Sequence, residues 1–246
     1  MNNSLADISF TRKIPTQVKW LFVLLVIPLY MYCGSLIITA FLKFIIITFS
    51  LDLDLNAINA YLNLIFDLGM LILLWWMLKD TMKQQWIDFK KDIKQNMIYS
   101  LVLGTVLLYV ASFIGGIITL ALGGGVSSEN QQAISQIVQS YPIVMIITTV
   151  IFAPILEEMI FRGIVFGWLY EFHPKLAHIL SGFLFGFMHI MTAVLAGSFS
   201  EWTQIFSYFF MGVVLSFLYE KRNNIYVPIG AHILNNLISI VLIMMH

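Results

Sequence analysis

Charge is what this sequence has least of. Asp, Glu, Lys and Arg make up 11% of its 246 residues, against about a quarter in a soluble domain. That leaves too little polar surface to keep a globule of this size in water, and with 60% hydrophobic residues the main solvent is lipid. The formal net charge is +0, so no excess of positive charge favours nucleic acid. Cysteine is nearly absent. Cys33 alone excludes an internal disulfide, and in its apolar run it reads as a small buried thiol. No cysteine lies near the C-terminus, so there is no prenylation signal. A cleaved signal peptide does not fit either. The apolar run after Trp20 is far longer than an h-region of about 7–15 residues and reads as a retained first span behind a short polar cytoplasmic tail, residues 1–17.

What is present is a series of apolar runs of about 20 residues, the length that crosses a bilayer as helix. Seven candidates run from Val18 to Phe49, Ala57 to Leu78, Met97 to Leu122, Pro142 to Tyr170, Leu176 to Ala196, Thr203 to Tyr219 and Ile225 to Met245. The first is over-long, with Pro28 and Gly34 as candidate kinks, so an eighth element is open. Isolated strands cannot satisfy their backbone in lipid, which makes the expected fold an all-α polytopic transmembrane bundle of about seven to eight spans. Two parts are expected: N-terminal membrane helices over 18–141 and a helical core over 142–246. Within the first, 81–95 mixes Lys and Asp with Trp86, Ile87, Phe89 and Ile93. It reads as an amphipathic helix on the inner leaflet, with a solvated connector as the alternative. The Gly123-Gly124-Gly125 run followed by Ser127 and Ser128 reads as a flexible outer loop.

Loop cations orient the bundle. Arg12, Lys13 and Lys19 precede the first span; Lys79, Lys83, Lys90, Lys91 and Lys94 follow the second; Lys175 follows the fourth; Lys221 and Arg222 follow the sixth. The intervening loops hold none. By the positive-inside rule the N-terminus is cytoplasmic and the C-terminus outside, in a multi-pass protein of the cell membrane.

Charges inside a span cost roughly 2.5–3.5 kcal/mol each on insertion scales, so they need partners or a purpose. The fourth span carries Glu157, Glu158 and Arg162. Glu158 and Arg162 are four apart and share a helix face; Glu157 is turned about 100° away and left free of that pair. The fifth span contributes His189, and the seventh His232 and Asn236, again four apart. At about 1.5 Å per residue, Glu157 and His189 lie roughly 20 Å from the inner end of their spans, Asn236 roughly 18 Å and His232 roughly 12 Å, a similar layer for all. A carboxylate and an imidazole can hold and deprotonate a water. A second imidazole and a carboxamide, fixed in place, can stabilise the oxyanion of a tetrahedral intermediate. Together these groups describe amide hydrolysis. Two histidines and a glutamate also leave a zinc site open, with Glu157, His189 and His232 as the ligands, although no His-Glu-x-x-His helix is present.

In order along the chain, Glu157-Glu158-x-x-x-Arg162, Phe185-x-x-x-His189 and His232-x-x-x-Asn236 resemble the three motifs of the CPBP family, the type II CAAX prenyl endopeptidases and their bacterial relatives, also called Abi proteins and tied to bacteriocin processing and self-immunity. The resemblance covers the chain from about Pro142 onward. It implies an intramembrane glutamic-type protease in which Glu157 and His189 activate water, His232 and Asn236 form the oxyanion hole, and Glu158 and Arg162 are structural. It implies no metal or other cofactor, with zinc as the alternative. The expected partners are membrane lipid and a peptide or membrane-anchored protein substrate, in a bacterial cell. A bacteriocin-immunity protein on the same scaffold is the competing expectation, and a proton-coupled carrier a more distant one, lacking the paired broken helices or repeats of that class. Asn59, Asn63 and Asp67 form a stripe at i, i+4 and i+8 of the second span, read as interhelical hydrogen bonding rather than cavity lining; Asn235 is read as packing or hydrogen-bonding glue, and His178 as interfacial.

Overall fold

A computed structural model describes residues 10, 14–50 and 54–245. Most of the tail expected over 1–17, with Arg12 and Lys13, and the turn at 51–53 lie outside the described residues, as does His246. Among the described residues, 16–244 form a bundle of eight helices, and there is no strand. They are α1 (residues 16–49), α2 (Leu55–Lys91), α3 (Ile93–Ala121), α4 (Glu129–Ser140), α5 (Pro142–Tyr170), α6 (Pro174–Leu195), α7 (Ile205–Arg222, entered through a 3₁₀ turn at Phe199–Gln204) and α8 (Tyr226–Met244).

Among the described residues six helices, α2, α3 and α5 to α8, are long and apolar enough to cross a membrane, one or two fewer than the apolar runs suggest. The first apolar run forms α1, which is continuous over residues 16–49, and Pro28 and Gly34 do not break it. Two wide i→i+5 turns, Phe22–Val26 and Leu29–Cys33, flank Pro28 and take up its missing donor. Cys33 is exposed on this helix, not buried.

Helix α2 runs unbroken for 37 residues, about 55 Å. A hydrocarbon core is about 30 Å thick, so its end projects beyond it. The stretch 81–91 is therefore the last three turns of this helix, burying Met82, Gln85 and Phe89 while Trp86 and Ile87 stay exposed. The chain breaks at Asp92 before α3.

The core bundle is α3 and α5 to α8, with the closest packing between α6 and α7 and between α7 and α3. Small residues allow this. A Cβ on Gly182 would come within 2.8 Å of the Val213 side chain, and one on Gly212 within 2.9 Å of the Gly182 Cα. In lipid, where apolar burial adds little between helices, such close backbone approach supplies the packing energy.

Both ends of the bundle are latched by polar contacts. At one end the guanidinium of Arg222 pairs with Asp92 and donates from Nε to Asn96 Oδ1 at 2.8 Å. Nearby, the Asn224 amide donates to the Gln85 carbonyl and the Ile225 N–H to Gln85 Oε1, each at 2.8 Å. Lys19, at the start of α1, pairs with Glu171 after α5 at 2.7 Å. At the other end, Thr119 donates to the Thr203 carbonyl at 2.7 Å, Gln204 to the Gly125 carbonyl at 2.8 Å, and the Tyr141 hydroxyl to Asp54 at 2.8 Å. The Gly-rich loop is also more ordered than its glycines suggest. Ser128 caps α4, accepting from the Gln131 N–H at 3.2 Å, and its hydroxyl meets Tyr208 at 2.7 Å.

Candidate active site

Glu157 stands on α5 one turn after Ala153-Pro154, and a wide-turned segment, Glu158–Phe166, begins at the next residue. Wide turns inside membrane or soluble helices recur at functional sites. Glu158 and Arg162 are wholly buried and paired, NH1 to Oε1 at 3.1 Å, as their i,i+4 spacing predicts. Arg162 also donates from NH2 to the Gly212 carbonyl at 3.2 Å and lies over the Phe185 ring at 4.4 Å. The Gly212 that permits the tight α6–α7 contact thus also exposes the carbonyl that Arg162 uses.

The other face of α5 turns Glu157 towards two imidazoles. Its Oε2 lies 4.0 Å from His189 Nε2 and 3.9 Å from His232 Nε2, and that oxygen is buried without a hydrogen-bond partner. Each ring is held by its far nitrogen. His189 donates from Nδ1 to the Phe185 carbonyl at 2.9 Å, leaving the Nε2 lone pair towards Glu157 in the neutral ring. His232 Nδ1 lies 3.0 Å from Glu158 Oε1. With Glu158 ionised against Arg162, the nitrogen is the donor, and His232 can donate from Nε2 as well only when the ring carries both protons. Stacking on Tyr208, with centroids 4.3 Å apart, fixes the plane of His189. Asn236 donates to the Thr149 carbonyl at 2.9 Å and accepts from Asn235 at 3.1 Å.

The fold therefore gathers Glu157, His189 and His232 around one point, with Glu158 and Arg162 behind them. Asn236 joins them in lining a cavity of about 550 Å³. The polar stripe of α2 divides. Asn63, itself exposed, and the buried Asp67 line this cavity while Asn59 is exposed away from it, so the expected role in helix–helix hydrogen bonding does not hold for Asp67, which makes none among the described residues. Asn235, read as packing, lines the cavity too. Tyr30 of α1 is a wall residue that the sequence does not single out. Its ring stacks on Phe66 at 6.2 Å, one residue before Asp67. His178 likewise has partners that its interfacial position did not suggest, Ser216 Oγ at 2.7 Å and Glu220 Oε2 at 3.1 Å, which tie α6 to α7.

Zinc coordinated at about 2.0–2.2 Å in a tetrahedron sets donor atoms roughly 3.4 Å apart. The gaps of 3.9 and 4.0 Å around Glu157 are wider, and among the described residues no group of three or more His, Cys, Asp or Glu is arranged to hold a metal ion. A water making hydrogen bonds of about 2.8 Å to two such atoms bridges a gap of this size.

A multi-pass helical membrane protein with a carboxylate between two imidazoles is a narrow class, and comparison with known proteins narrows it further. Residues 139–238 match the family described as "Type II CAAX prenyl endopeptidase Rce1-like". The resemblance carried by the three motifs thus holds over that stretch, which contains all of them. Among curated proteins, the chain is 31% identical over 154 residues to "Putative membrane peptidase YdiL" of Bacillus subtilis, covering 62% of this chain and 59% of that one. It is 27% identical over 142 residues to "UPF0177 protein YvdC" of Lactococcus lactis, covering 58% and 51%. It is 29% identical over 147 residues to "Membrane-embedded CAAX protease MroQ" of Staphylococcus aureus, covering 59% and 58%. The chain thus spans between half and three-fifths of the length of the curated relatives it matches. No solved structure matches significantly.

Proposed function

We propose that this protein is an intramembrane endopeptidase that hydrolyses a peptide bond with a water held between Glu157 and His189. The observation that carries the reading is the unpartnered, buried Glu157 Oε2, set 4.0 and 3.9 Å from two imidazole Nε2 atoms. In the step envisaged, Glu157 takes a proton from the water while its oxygen attacks the carbonyl carbon. The tetrahedral oxyanion is placed to accept hydrogen bonds from the His232 ring and from the Asn236 amide, which first gives up Thr149. The C–N bond then breaks as Glu157 returns the proton to the leaving amine. Such a base contributes about 10²–10⁴-fold and one oxyanion donor about 10²–10³-fold. The reaction needs no metal.

The substrate is a peptide or a membrane-associated protein. The family description points to peptide-bond cleavage, and the name of the Staphylococcus aureus relative to a protease embedded in the membrane. With α1 counted as a crossing beside the six longer apolar helices, the N-terminus lies in the cytoplasm and the C-terminus outside, a reading supported by the described loop cations, which gather at the end where Arg222 meets Asp92 and Lys19 meets Glu171.

Purified wild type, Glu157→Gln and His189→Ala, incubated in detergent with a mixed peptide library and followed by mass spectrometry, test the reading. Cleavage by the wild type alone, with all three proteins equally folded, is the expected result. Full activity in both variants would rule it out. Loss of cleavage without loss of bacteriocin protection in Glu157→Gln cells would instead favour an immunity role.

A further inference from the structure

The cavity beside Glu157 has an uneven chemistry. Amides and hydroxyls dominate its wall, among them Asn63, Thr148, Asn235 and Ser239, while no lysine or arginine lines it. Two carboxyl groups do, Glu157 and Asp67. Glu157 has the two imidazoles. The nearby cation, Arg162, sits wholly buried behind the site and is committed to Glu158 and the Gly212 carbonyl. Asp67 has neither: the residue is 9% exposed, lines the cavity, and makes no hydrogen bond or ion pair among the described residues.

An uncompensated carboxylate at this depth costs roughly 2.5–3.5 kcal/mol on insertion scales. The stability of the bundle gains nothing in return, because Asp67 clasps no other helix. The cost is recovered if a ligand brings the missing positive charge. Asn63, four residues earlier on the same face of α2, lines the cavity as well and adds a carbonyl oxygen one turn away. An ammonium or guanidinium, which carries several donors and no acceptor, matches that pair of acceptors.

Resting on the protease reading, we infer that Asp67 and Asn63 form a subsite for a lysine or arginine side chain of the substrate, in the same cavity as the Glu157-activated water. Both residues belong to α2, outside the stretch 139–238 that carries the catalytic motifs. The reacting groups and the selecting groups therefore come from different parts of the chain. The polar wall suits an extended peptide bearing a basic residue.

The test is a competition among peptides identical except for Lys, Arg, Gln or Glu, scanned through four positions on each side of a cut, each made with a free and an acetylated N-terminus. At one position wild type should favour Lys or Arg over Gln at least tenfold in kcat/KM, in acetylated peptides too. The ratio should fall to near one in Asp67→Asn, persist in Asp67→Glu and invert towards Glu in Asp67→Lys. An equal ratio in wild type and Asp67→Asn overturns the inference. A preference confined to free N-termini also overturns it, assigning Asp67 to the terminal amine. Binding separates this from the protease reading. The Glu157→Gln protein should bind the Lys peptide at least tenfold more tightly than the Gln peptide, and Glu157→Gln with Asp67→Asn should not. That difference, without any cleavage by wild type, would refute the protease and keep the subsite; cleavage by wild type with no binding difference would do the reverse.

Discussion

Replacing Arg162 by leucine isolates what the buried ion pair contributes. Both partners are wholly buried, the guanidinium lies 3.1 Å from Glu158, and it also satisfies the Gly212 carbonyl. Leucine fills part of the volume but leaves Glu158 with the His232 ring nitrogen as its one remaining polar contact among these groups. Removing one member of a buried pair costs about 3–5 kcal/mol, mostly from the charge left behind. For a chain of this size about 1 kcal/mol moves Tm by about 2–4 °C, so Arg162→Leu should lower the thermal midpoint in detergent by roughly 6–20 °C. The same origin predicts a rescue. Adding Glu158→Gln removes the stranded charge, and the double variant should be more stable than Arg162→Leu alone. A midpoint within about 1 °C of wild type for Arg162→Leu, or a double variant less stable than the single one, would refute the reasoning.

Three further outcomes follow from the geometry. Asn236→Ala should reduce kcat about 10²–10³-fold with little change in KM or thermal midpoint; an equal loss through KM would place Asn236 in substrate binding instead. Gly212→Leu should separate α6 from α7, reducing folded yield and activity together, whereas Gly116→Leu, where a Cβ meets nothing within 4 Å, should leave folded yield unchanged. At the end of the bundle opposite Arg222, the Tyr141 hydroxyl and the Asn56 N–H hold the Asp54 carboxyl below the usual aspartate range. Its folded form releases a proton more readily than its unfolded form, so the stability it adds is present above about pH 4 and fades as pH falls through the lowered value. The acid limb of a Tm-versus-pH curve should accordingly flatten in Asp54→Asn; an unchanged limb would show that the contact contributes nothing.

The helical class and the meeting of Glu157, His189 and His232 were legible in the sequence, since apolar runs of span length and intramembrane charges admit few solutions. The pairing of Glu158 with Arg162 followed from their spacing. Other features were less visible, for physical reasons. Proline and glycine mark where a helix can break, and α1 instead absorbs Pro28 in wide turns, which leave no mark in a hydropathy pattern. Helix α4 hid behind three glycines, although Ser128-Glu129-Asn130-Gln131 has the capping-box pattern and Ser128 does cap it. The role of Asp67 depends on which helix faces α2, and periodicity gives the polar face of a helix without naming its neighbour. Tyr30 carries no motif at all. The close contact of Gly182 with Gly212 had a partial signal, Gly182-x-x-x-Gly186, the small-residue spacing of packed membrane helices.

The most direct measurement is single-turnover cleavage of one peptide substrate by wild type and Glu157→Gln, each with and without a strong chelator and then with added zinc. Expected is a loss of about 10²–10⁴-fold in the variant and a wild-type rate indifferent to chelator and zinc. A variant as fast as wild type, or a wild-type rate abolished by the chelator and restored by zinc, would contradict a glutamate-activated water at this site.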